Sequence, residues 1–379
     1  MSPDPDTIPL SRPDLGADEE AAVLKVLRSG VLSLGPALER FERGFAGWLG
    51  VPDAVAVSSG TAGLHLGVRA QGWSKGDDVL TTPFSFVASA NCLLFEDATP
   101  VFCDIDPDTL NLDPAAAADA IGEATAGILP VHIFGWPADL DRLEQLARER
   151  GLGIVEDACE ALGAEHRDGA KVGARGNTAV FGFYPNKQIT TGEGGMVVPA
   201  GPDDAARFRS ERNQGRAADM GVVEHERLGF NYRLSEAAAA LGAAQVGRLD
   251  EILARRARAA ELYQQGLEGI EGLRAPPSRG DGARGWFVYP VMLPAGTDRD
   301  AVVSRLAEQG IQSKAYMPAI HLFSFYRERF GFREGQFPIA EEAAALNLAL
   351  PFFTAIGEGE VERVCEALRT ALEPPTTAG

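Results

Sequence analysis

Apolar and polar positions along the chain follow two different periods. Over residues 18–30 and 36–50 apolar side chains recur every three or four positions, which predicts two amphipathic helices. From residue 54 to 199, short apolar and β-branched runs alternate with helical stretches. Nearly continuous apolar strands separated by helices are typical of a mostly parallel sheet covered on both faces. We therefore expect an α/β fold.

A long helical stretch follows, and a smaller β/α pattern completes the chain. The helix is predicted to begin after Ser235, a residue type favoured as an N-cap, and to run to Gly266. Five shorter predicted elements lie beyond it: a strand at 285–293, a helix at 299–310, a strand at 311–318, and helices at 340–350 and 359–372. This change of pattern predicts a large domain of residues 1–245 and a small C-terminal α/β domain of residues 246–379.

The composition excludes several classes of partner. The 35 basic and 54 acidic residues give a net charge of −19, whereas nucleic-acid polymers and anionic membranes require a basic field. No stretch of 18 apolar residues occurs, so no membrane span is predicted. The four cysteines and five histidines lack metal-ligand spacing, which predicts no metal site and no disulfide framework and favours a reducing cytoplasm. A small anionic substrate is compatible with this negative charge, because it needs only a local cluster of hydrogen-bond donors.

Polar residues follow three of the predicted strands. Gly60 and Thr61 lie where the first strand leads into a helix, and the unpaired N–H groups at a helix N-terminus favour a phosphate. Asp157 ends a later apolar strand, and Lys187 lies in a loop between two more strands. Binding sites in such sheets lie at the carboxyl ends of the strands, so we expect these residues to lie close together.

Each signal taken alone also has an ordinary structural explanation. The turn at Gly60 suits any strand-to-helix connection, Asp157 is equally suited to capping a helix, and a single loop lysine is most often solvated. Together they are the parts that bind pyridoxal phosphate: a helix N-terminus for the phosphate, a carboxylate for the protonated ring nitrogen and a lysine for the Schiff base. Of the five lysines, Lys187 alone belongs to the same predicted sheet as the other two signals.

Stretches that run almost end to end carry a resemblance to a known family. The most specific is FGFYPNKQITTGEGGM, around Lys187, and others are AVSSGTAGLHL, TTPFSFVASANC, VEDACEALGA and GFNYRLSE. The chain resembles the DegT/StrS-type aminotransferases of sugar biosynthesis, within the aspartate-aminotransferase group (fold type I) of pyridoxal-phosphate enzymes. The resemblance implies a seven-stranded, mostly parallel sheet with a smaller C-terminal domain. It also implies transfer of an amino group from an amino acid, with glutamate expected, to a keto sugar on a nucleotide carrier.

The resemblance implies roles at the cofactor for individual residues. Lys187 would form the Schiff base and move the proton between the two carbon positions, and Asp157 would pair with the ring nitrogen. Further expected cofactor residues are Gly60 and Thr61 at the phosphate, Phe86 stacked on the ring, Glu160 near the phenolic oxygen, and Asn231 or Arg233. Asn231 or Arg233 would reach the phosphate held by a neighbouring subunit, which predicts a homodimer. Without the resemblance, a core position would be the simpler reading of Phe86.

A second set of residues is expected to contact the substrate. The resemblance implies that Tyr184, Tyr316 and His321 face the sugar nucleotide. Arg212 and Arg216 are added because an anionic carrier needs local cations in an acidic protein. A solvated turn is an equally good explanation for the two arginines.

Three residues depart from the family pattern. Glu160 stands where many members have glutamine or histidine, Gly182 where some have a phosphate-binding serine, and Cys159 where alanine is common. A carboxylate at position 160 would repel the cofactor's phenolate unless a proton lies between them. We therefore expect Glu160 either to raise the proton affinity of this region or to turn away from it.

Three functions other than amino transfer occur within the same fold. A sugar dehydratase is one alternative, but those relatives carry histidine in place of the lysine. A pyridoxal-phosphate aldolase or desulfurase is a second, and a regulatory relative without turnover is a third. Lys187 and Asp157 together favour the aminotransferase.

Overall fold

The computed structural model describes residues 6–217, 224–277, 279–280 and 282–373. Its α-helices are α1 (Ala17–Ser29), α2 (Pro36–Leu49), α3 (Gly60–Gln71), α4 (Ala88–Leu94), α5 (Pro114–Asp119), α6 (Leu140–Arg150), α7 (Pro202–Glu211), α8 (Glu236–Gly247), α9 (Leu249–Gly266), α10 (Arg299–Glu308), α11 (Ser324–Phe330), α12 (Pro338–Leu346) and α13 (Glu358–Leu372). Its strands are β1 (Val55–Val57), β2 (Asp78–Thr81), β3 (Thr99–Phe102), β4 (Thr125–Ile128), β5 (Gly153–Asp157), β6 (Glu165–His166), β7 (Thr178–Gly182), β8 (Gly195–Val198), β9 (Arg279–Gly280), β10 (Gly282–Ala283), β11 (Tyr289–Met292) and β12 (Asn347–Leu350).

The central sheet has seven strands in the order β1-β8-β7-β5-β4-β2-β3. Strands β3, β2, β4, β5 and β7 pair in parallel, and β8 runs antiparallel to its neighbours β7 and β1. The expectation of a mostly parallel seven-stranded sheet is therefore confirmed. Because β8 is antiparallel, its beginning lies at the edge where β1, β5 and β7 end.

Alternating side chains along the strands give the sheet a core on each face. On one face Val55, Val57, Val180 and Val197 pack beneath α3. On the other, residues such as Ala56, Ala179, Phe181 and Met196 pack with Phe41 and Phe45 of α2 and with α8. The strands are buried from both sides, as their continuous apolar sequences predicted.

A third cluster of buried side chains belongs to the C-terminal part of the chain. It surrounds the antiparallel pair β11–β12 and includes Tyr263 of α9 and Leu368 of α13. Ile8, near the other end of the sequence, packs in the same cluster and forms a bridge with Ile311. The predicted division into residues 1–245 and 246–379 stays a prediction.

Three local expectations need correction. The strand predicted over 311–318 is not formed, and this segment makes only isolated bridges at Ile311 and Lys314. The long predicted helix is interrupted at Arg248, whose backbone has φ −114° and ψ 10°, so α8 and α9 are separate helices. The Arg248 guanidinium forms ion pairs with Asp14 and Glu19. The helix predicted over 340–350 ends at Leu346, and Asn347 begins strand β12. The Asn347 side chain donates to the Ala343 carbonyl, and pairing with β11 overrides the helical preference of the alanine-rich sequence.

Candidate active site

A cavity of about 650 Å³ lies at the carboxyl end of the parallel strands. This volume falls in the range of about 300–1,000 Å³ that is usual for small-molecule sites. Eight of the residues predicted from the sequence line it: Gly60, Thr61, Phe86, Asp157, Glu160, Tyr184, Lys187 and Tyr316. The strand-end signals that were far apart in the sequence therefore meet in one cavity.

The first turn of α3 forms one wall of the cavity. Ser59 is its N-cap, and its side chain accepts a hydrogen bond from the Ala62 N–H while its carbonyl accepts one from Gly63. The Gly60 and Thr61 N–H groups belong to the same turn, and both residues line the cavity. A Cβ at Gly60 would lie 2.7 Å from Cys159 Sγ, so the glycine permits the helix to start this close to the end of β5. Paired N–H groups at a helix start suit an anion such as a phosphate.

Asp157 ends β5 and is held on both carboxylate oxygens. Ser89 Oγ donates to Asp157 Oδ2 at 2.7 Å, and the Cys159 backbone N–H donates to Oδ1 at 3.1 Å. Ser89 also lies 2.7 Å, oxygen to oxygen, from Ser85. The carboxylate is buried and has a fixed orientation, as is needed of a partner for a ring nitrogen. Ser89 was not predicted, because a serine in a short helical segment has no sequence signal of its own.

Lys187 lies in the loop between β7 and β8. Its backbone N–H donates to the Tyr184 carbonyl at 2.9 Å, and the loop closes where the Thr191 N–H donates to the Phe183 carbonyl at 3.0 Å. The amine Nζ lies 3.4 Å from Glu160 Oε1 and 3.8 Å from the ring centroid of Phe287. Phe287, on the segment leading into β11, was also not predicted, because an aromatic residue in an apolar segment indicates a core position and not a site residue.

Glu160 does not turn away from the lysine. Phe134 N–H donates to its Oε2 at 2.9 Å, which leaves Oε1 directed at Lys187 Nζ. Burial raises the pKa of this carboxyl, against the lowering effect of the Lys187 charge. A raised pKa favours a proton on or near the carboxyl, the condition under which a carboxyl and a phenolate are compatible neighbours.

Cys159 and Gly182 lie together under the first turn of α3. A Cβ at Gly182 would lie 3.4 Å from Cys159 Sγ, at the limit of ordinary contact. Burial raises the pKa of the Cys159 thiol well above its usual range, so the thiol stays protonated. The thiol fills the space between two glycines, which agrees with a packing role.

Two aromatic residues with different exposure complete the lining. Phe86 is 63% exposed although it lines the cavity, so it offers a flat apolar face rather than filling a core position. Tyr316 accepts a hydrogen bond from Asn186 Nδ2 at 2.8 Å, next to Lys187. Burial raises the pKa of the Tyr316 hydroxyl, so it stays protonated.

Three of the residues expected at the substrate lie outside this lining. The Arg212 guanidinium is buried in an ion pair with Glu42 and also donates to the Ala56 carbonyl, so its charge joins α2 to β1. Arg216 lies in the turn after α7, where its backbone forms a bridge with His225.

The third of these residues, His321, is fully buried. Its Nε2 lies 3.0 Å from Glu341 Oε1, and burial lowers its pKa. Arg212 and His321 are thus engaged with partners inside this chain and are not brought to the cavity.

Asn231 and Arg233 also lie away from the cavity of their own chain. Arg233 Nη1 donates to Asn213 Oδ1 at 3.1 Å, and Asn231 forms a bridge with Asn213. Their expected role concerns a neighbouring copy, and it stays a prediction.

The described residues contain no cluster of three or more His, Cys, Asp or Glu side chains arranged to hold a metal ion. Among the helices described, none combines the length and apolarity needed to cross a membrane.

Comparison with known proteins relates the whole chain to one family. Residues 13–369 match the DegT/DnrJ/EryC1/StrS aminotransferase family. The chain is 36% identical over 369 residues to GDP-perosamine synthase of Caulobacter vibrioides, covering 96% of this chain and 98% of that protein. It is 34% identical over 375 residues to the spore coat polysaccharide biosynthesis protein SpsC of Bacillus subtilis, covering 96% of each. The crystal structure of S. venezuelae DesV superposes with a TM-score of 0.91 at 36% identity, covering 97% of this chain and 99% of that one.

Proposed function

The chain belongs to the DegT/DnrJ/EryC1/StrS aminotransferase family and is a pyridoxal-phosphate-dependent aminotransferase, and from this premise we propose that it aminates a keto sugar carried on a nucleotide, with glutamate as donor. One observation carries the proposal: an amine, a fixed carboxylate and a helix start line a single cavity. The names of two relatives, a GDP-perosamine synthase and a polysaccharide biosynthesis protein, support a sugar as acceptor.

The cavity residues fit the cofactor by their chemistry. When bound, pyridoxal phosphate supplies an electron sink and carries the amino nitrogen between donor and acceptor. We infer that the N–H groups of Gly60 and Thr61 hold its phosphate, that Asp157 pairs with the ring nitrogen and that Phe86 covers one ring face. Ser89 fixes the carboxylate so that it need not reorient.

Lys187 carries the chemistry in this proposal. Its Nζ is the group that would hold the cofactor aldehyde, and once free its amine would accept a proton from the donor's α-carbon and return it on the cofactor side. Glu160 Oε1 and the Phe287 ring hold the amine in place from two directions. Tyr184 and Tyr316 also line the cavity and are assigned to the substrate.

One feature supports a homodimer as the active form. Five exposed apolar side chains lie close together along α1 and the connection to α2: Leu24, Leu27, Val31, Leu32 and Leu34. An exposed apolar group of this size suits a protein partner, and we assign it to a second copy. In that dimer Asn231 or Arg233 of one protomer would reach the phosphate bound by the other.

A cytoplasmic location belongs to the same proposal. The four cysteines are free thiols, as expected in a reducing compartment.

The decisive experiment is a single half-reaction on the purified, cofactor-loaded protein. With glutamate and no acceptor, wild-type protein should form one equivalent of 2-oxoglutarate per subunit, and Lys187→Ala should form almost none. Borohydride treatment followed by peptide mapping should attach the cofactor to Lys187. Lys75→Ala, at an exposed turn, is the matched control and should behave as wild type. Normal turnover by Lys187→Ala would refute the assignment.

The acceptor is then identified with a panel of keto sugars, each offered free and linked to a nucleotide. Consumption of a linked sugar with transfer of nitrogen supports the proposal. Consumption without nitrogen transfer would indicate the dehydratase instead, and a half-reaction that fails with every amino acid would indicate a relative without turnover.

A further inference from the structure

A second basic side chain lines the active-site cavity. Among the described residues that line it, the only arginine or lysine side chains are Lys187 and Lys314. Lys187 has the Glu160 carboxylate at 3.4 Å, whereas within the described ranges Lys314 forms no ion pair and its side chain is exposed. The lining also contains the carboxylates of Asp157, Glu160 and Glu193. Lys314 is therefore a cation available to a ligand in a strongly acidic protein.

The backbone around Lys314 is firmly held. Its N–H donates to the Ala349 carbonyl at 3.2 Å, and the Ala349 N–H donates back to the Lys314 carbonyl at 2.9 Å. Two residues further on, the Tyr316 N–H donates to Asn347 Oδ1 at 2.8 Å. The backbone at Lys314 is thus tied to Ala349 of β12 by an isolated bridge, so the lysine side chain extends from a fixed position.

The position of Lys314 relative to Tyr316 indicates where that amine lies. Tyr316 and Lys314 both line the cavity, and the Tyr316 hydroxyl contacts Asn186 beside Lys187. Tyr316 is half-buried and Lys314 is exposed, so the pair runs from the reacting amine outward to the mouth.

We propose that Lys314 binds the diphosphate of a nucleotide-linked substrate, an inference that rests on the proposed function. The reacting carbon of the sugar must lie at Lys187, and the diphosphate lies beyond the sugar ring, toward the mouth. An amino donor's carboxylate, in contrast, must lie close to Lys187. A compact ammonium group is a suitable partner for phosphate oxygens, and it offsets the repulsion between an anionic ligand and the surrounding carboxylates.

The test compares two charge reversals of equal size. Lys314→Glu and Lys75→Glu change the net charge identically, but Lys75 lies in the turn before β2, at the opposite edge of the sheet from the cavity. Binding of UDP, GDP and dTDP to the cofactor-loaded protein is measured by calorimetry. The nucleotide that wild type binds best should bind Lys314→Glu about 10- to 100-fold more weakly, the range of one charge-assisted hydrogen bond. Lys75→Glu should bind it as wild type does, and Lys314→Arg should retain most of the affinity.

The glutamate half-reaction separates the possible outcomes. If wild type performs it but binds none of the three nucleotides, or if both charge reversals bind them equally, the diphosphate subsite is refuted while the aminotransferase stands. If Lys314→Glu weakens glutamate and leaves nucleotide binding intact, Lys314 serves the donor carboxylate and the proposal is wrong. If wild type fails the half-reaction with every amino acid, the proposed function itself fails.

Discussion

Gly63, in the second turn of α3, presses directly on the central sheet. A Cβ at this position would lie 2.6 Å from Val180 Cγ1 and 3.1 Å from Val197 Cγ2. Contacts this short do not persist, so Gly63→Ala must displace either the valines or the helix. Valine is stiff at χ1, and both valines are fully buried, so the helix is the element that moves.

The change in unfolding free energy caused by Gly63→Ala follows from two opposed effects. Overpacking a well-filled core costs about 1–3 kcal/mol. Replacing glycine by alanine inside a helix contributes about 1 kcal/mol in the other direction. Gly47 of α2 provides a matched control, because it is an exposed helical glycine whose added Cβ would meet nothing within 4 Å. Since both variants gain the same helical term, Gly63→Ala should be about 1–3 kcal/mol less stable than Gly47→Ala.

The assay measures two quantities for each variant. Urea unfolding of the cofactor-loaded protein gives the difference in stability, and titration with pyridoxal phosphate gives the affinity. Because α3 begins at Gly60, lifting it from the sheet also shifts the N–H groups assigned to the phosphate, so Gly63→Ala should bind the cofactor more weakly than Gly47→Ala. Equal stability and equal affinity of the two variants would refute the packing argument.

The remaining predictions concern the dimer and the buried acid. A mixed dimer is prepared in which one protomer carries Lys187→Ala and the other carries Arg233→Glu. It should have about half of wild-type activity, because one of its two sites is intact, whereas each variant alone stays inactive. An inactive mixed dimer would mean that Arg233 serves its own chain. For Glu160 the folded-state pKa is raised, so ionisation costs more in the folded than in the unfolded protein. Glu160→Gln should therefore match wild type in unfolding free energy below the ordinary glutamate pKa. It should become more stable than wild type as the pH rises above that pKa, and the difference should level off above the raised folded-state pKa. A difference that shrinks with rising pH would contradict this.

Residues with a specific local pattern were predictable from the sequence. Gly60 and Lys187 follow apolar strands and Asp157 ends one, and the rule that sites lie at the carboxyl ends of parallel strands is enough to bring them together. The mostly parallel sheet was predictable for the same reason, because strands buried on both faces leave continuous apolar runs.

Residues that depend on tertiary packing were not predictable. Phe287 contacts the lysine amine only because the C-terminal segment folds back over the loop, and Ser89 reaches Asp157 from a helix 68 residues earlier. Arg212 was expected at an anionic ligand, but a buried guanidinium must be paired, and Glu42 of α2 pairs with it. Sequence identifies a cation but not which of its neighbours neutralises it.

The placement of Ile8 has a consequence for how the protein is made. Ile8 bonds to the backbone of Gly310 and Gln312, and the Phe352 N–H donates to Leu10. During synthesis, Ile8 and Leu10 leave the ribosome well before Gly310, Gln312 and Phe352, their partners. The core around Tyr263 can therefore close only after most of the polypeptide has emerged. The segment around Ile8 therefore waits for residues that are synthesised much later before it reaches its final contacts.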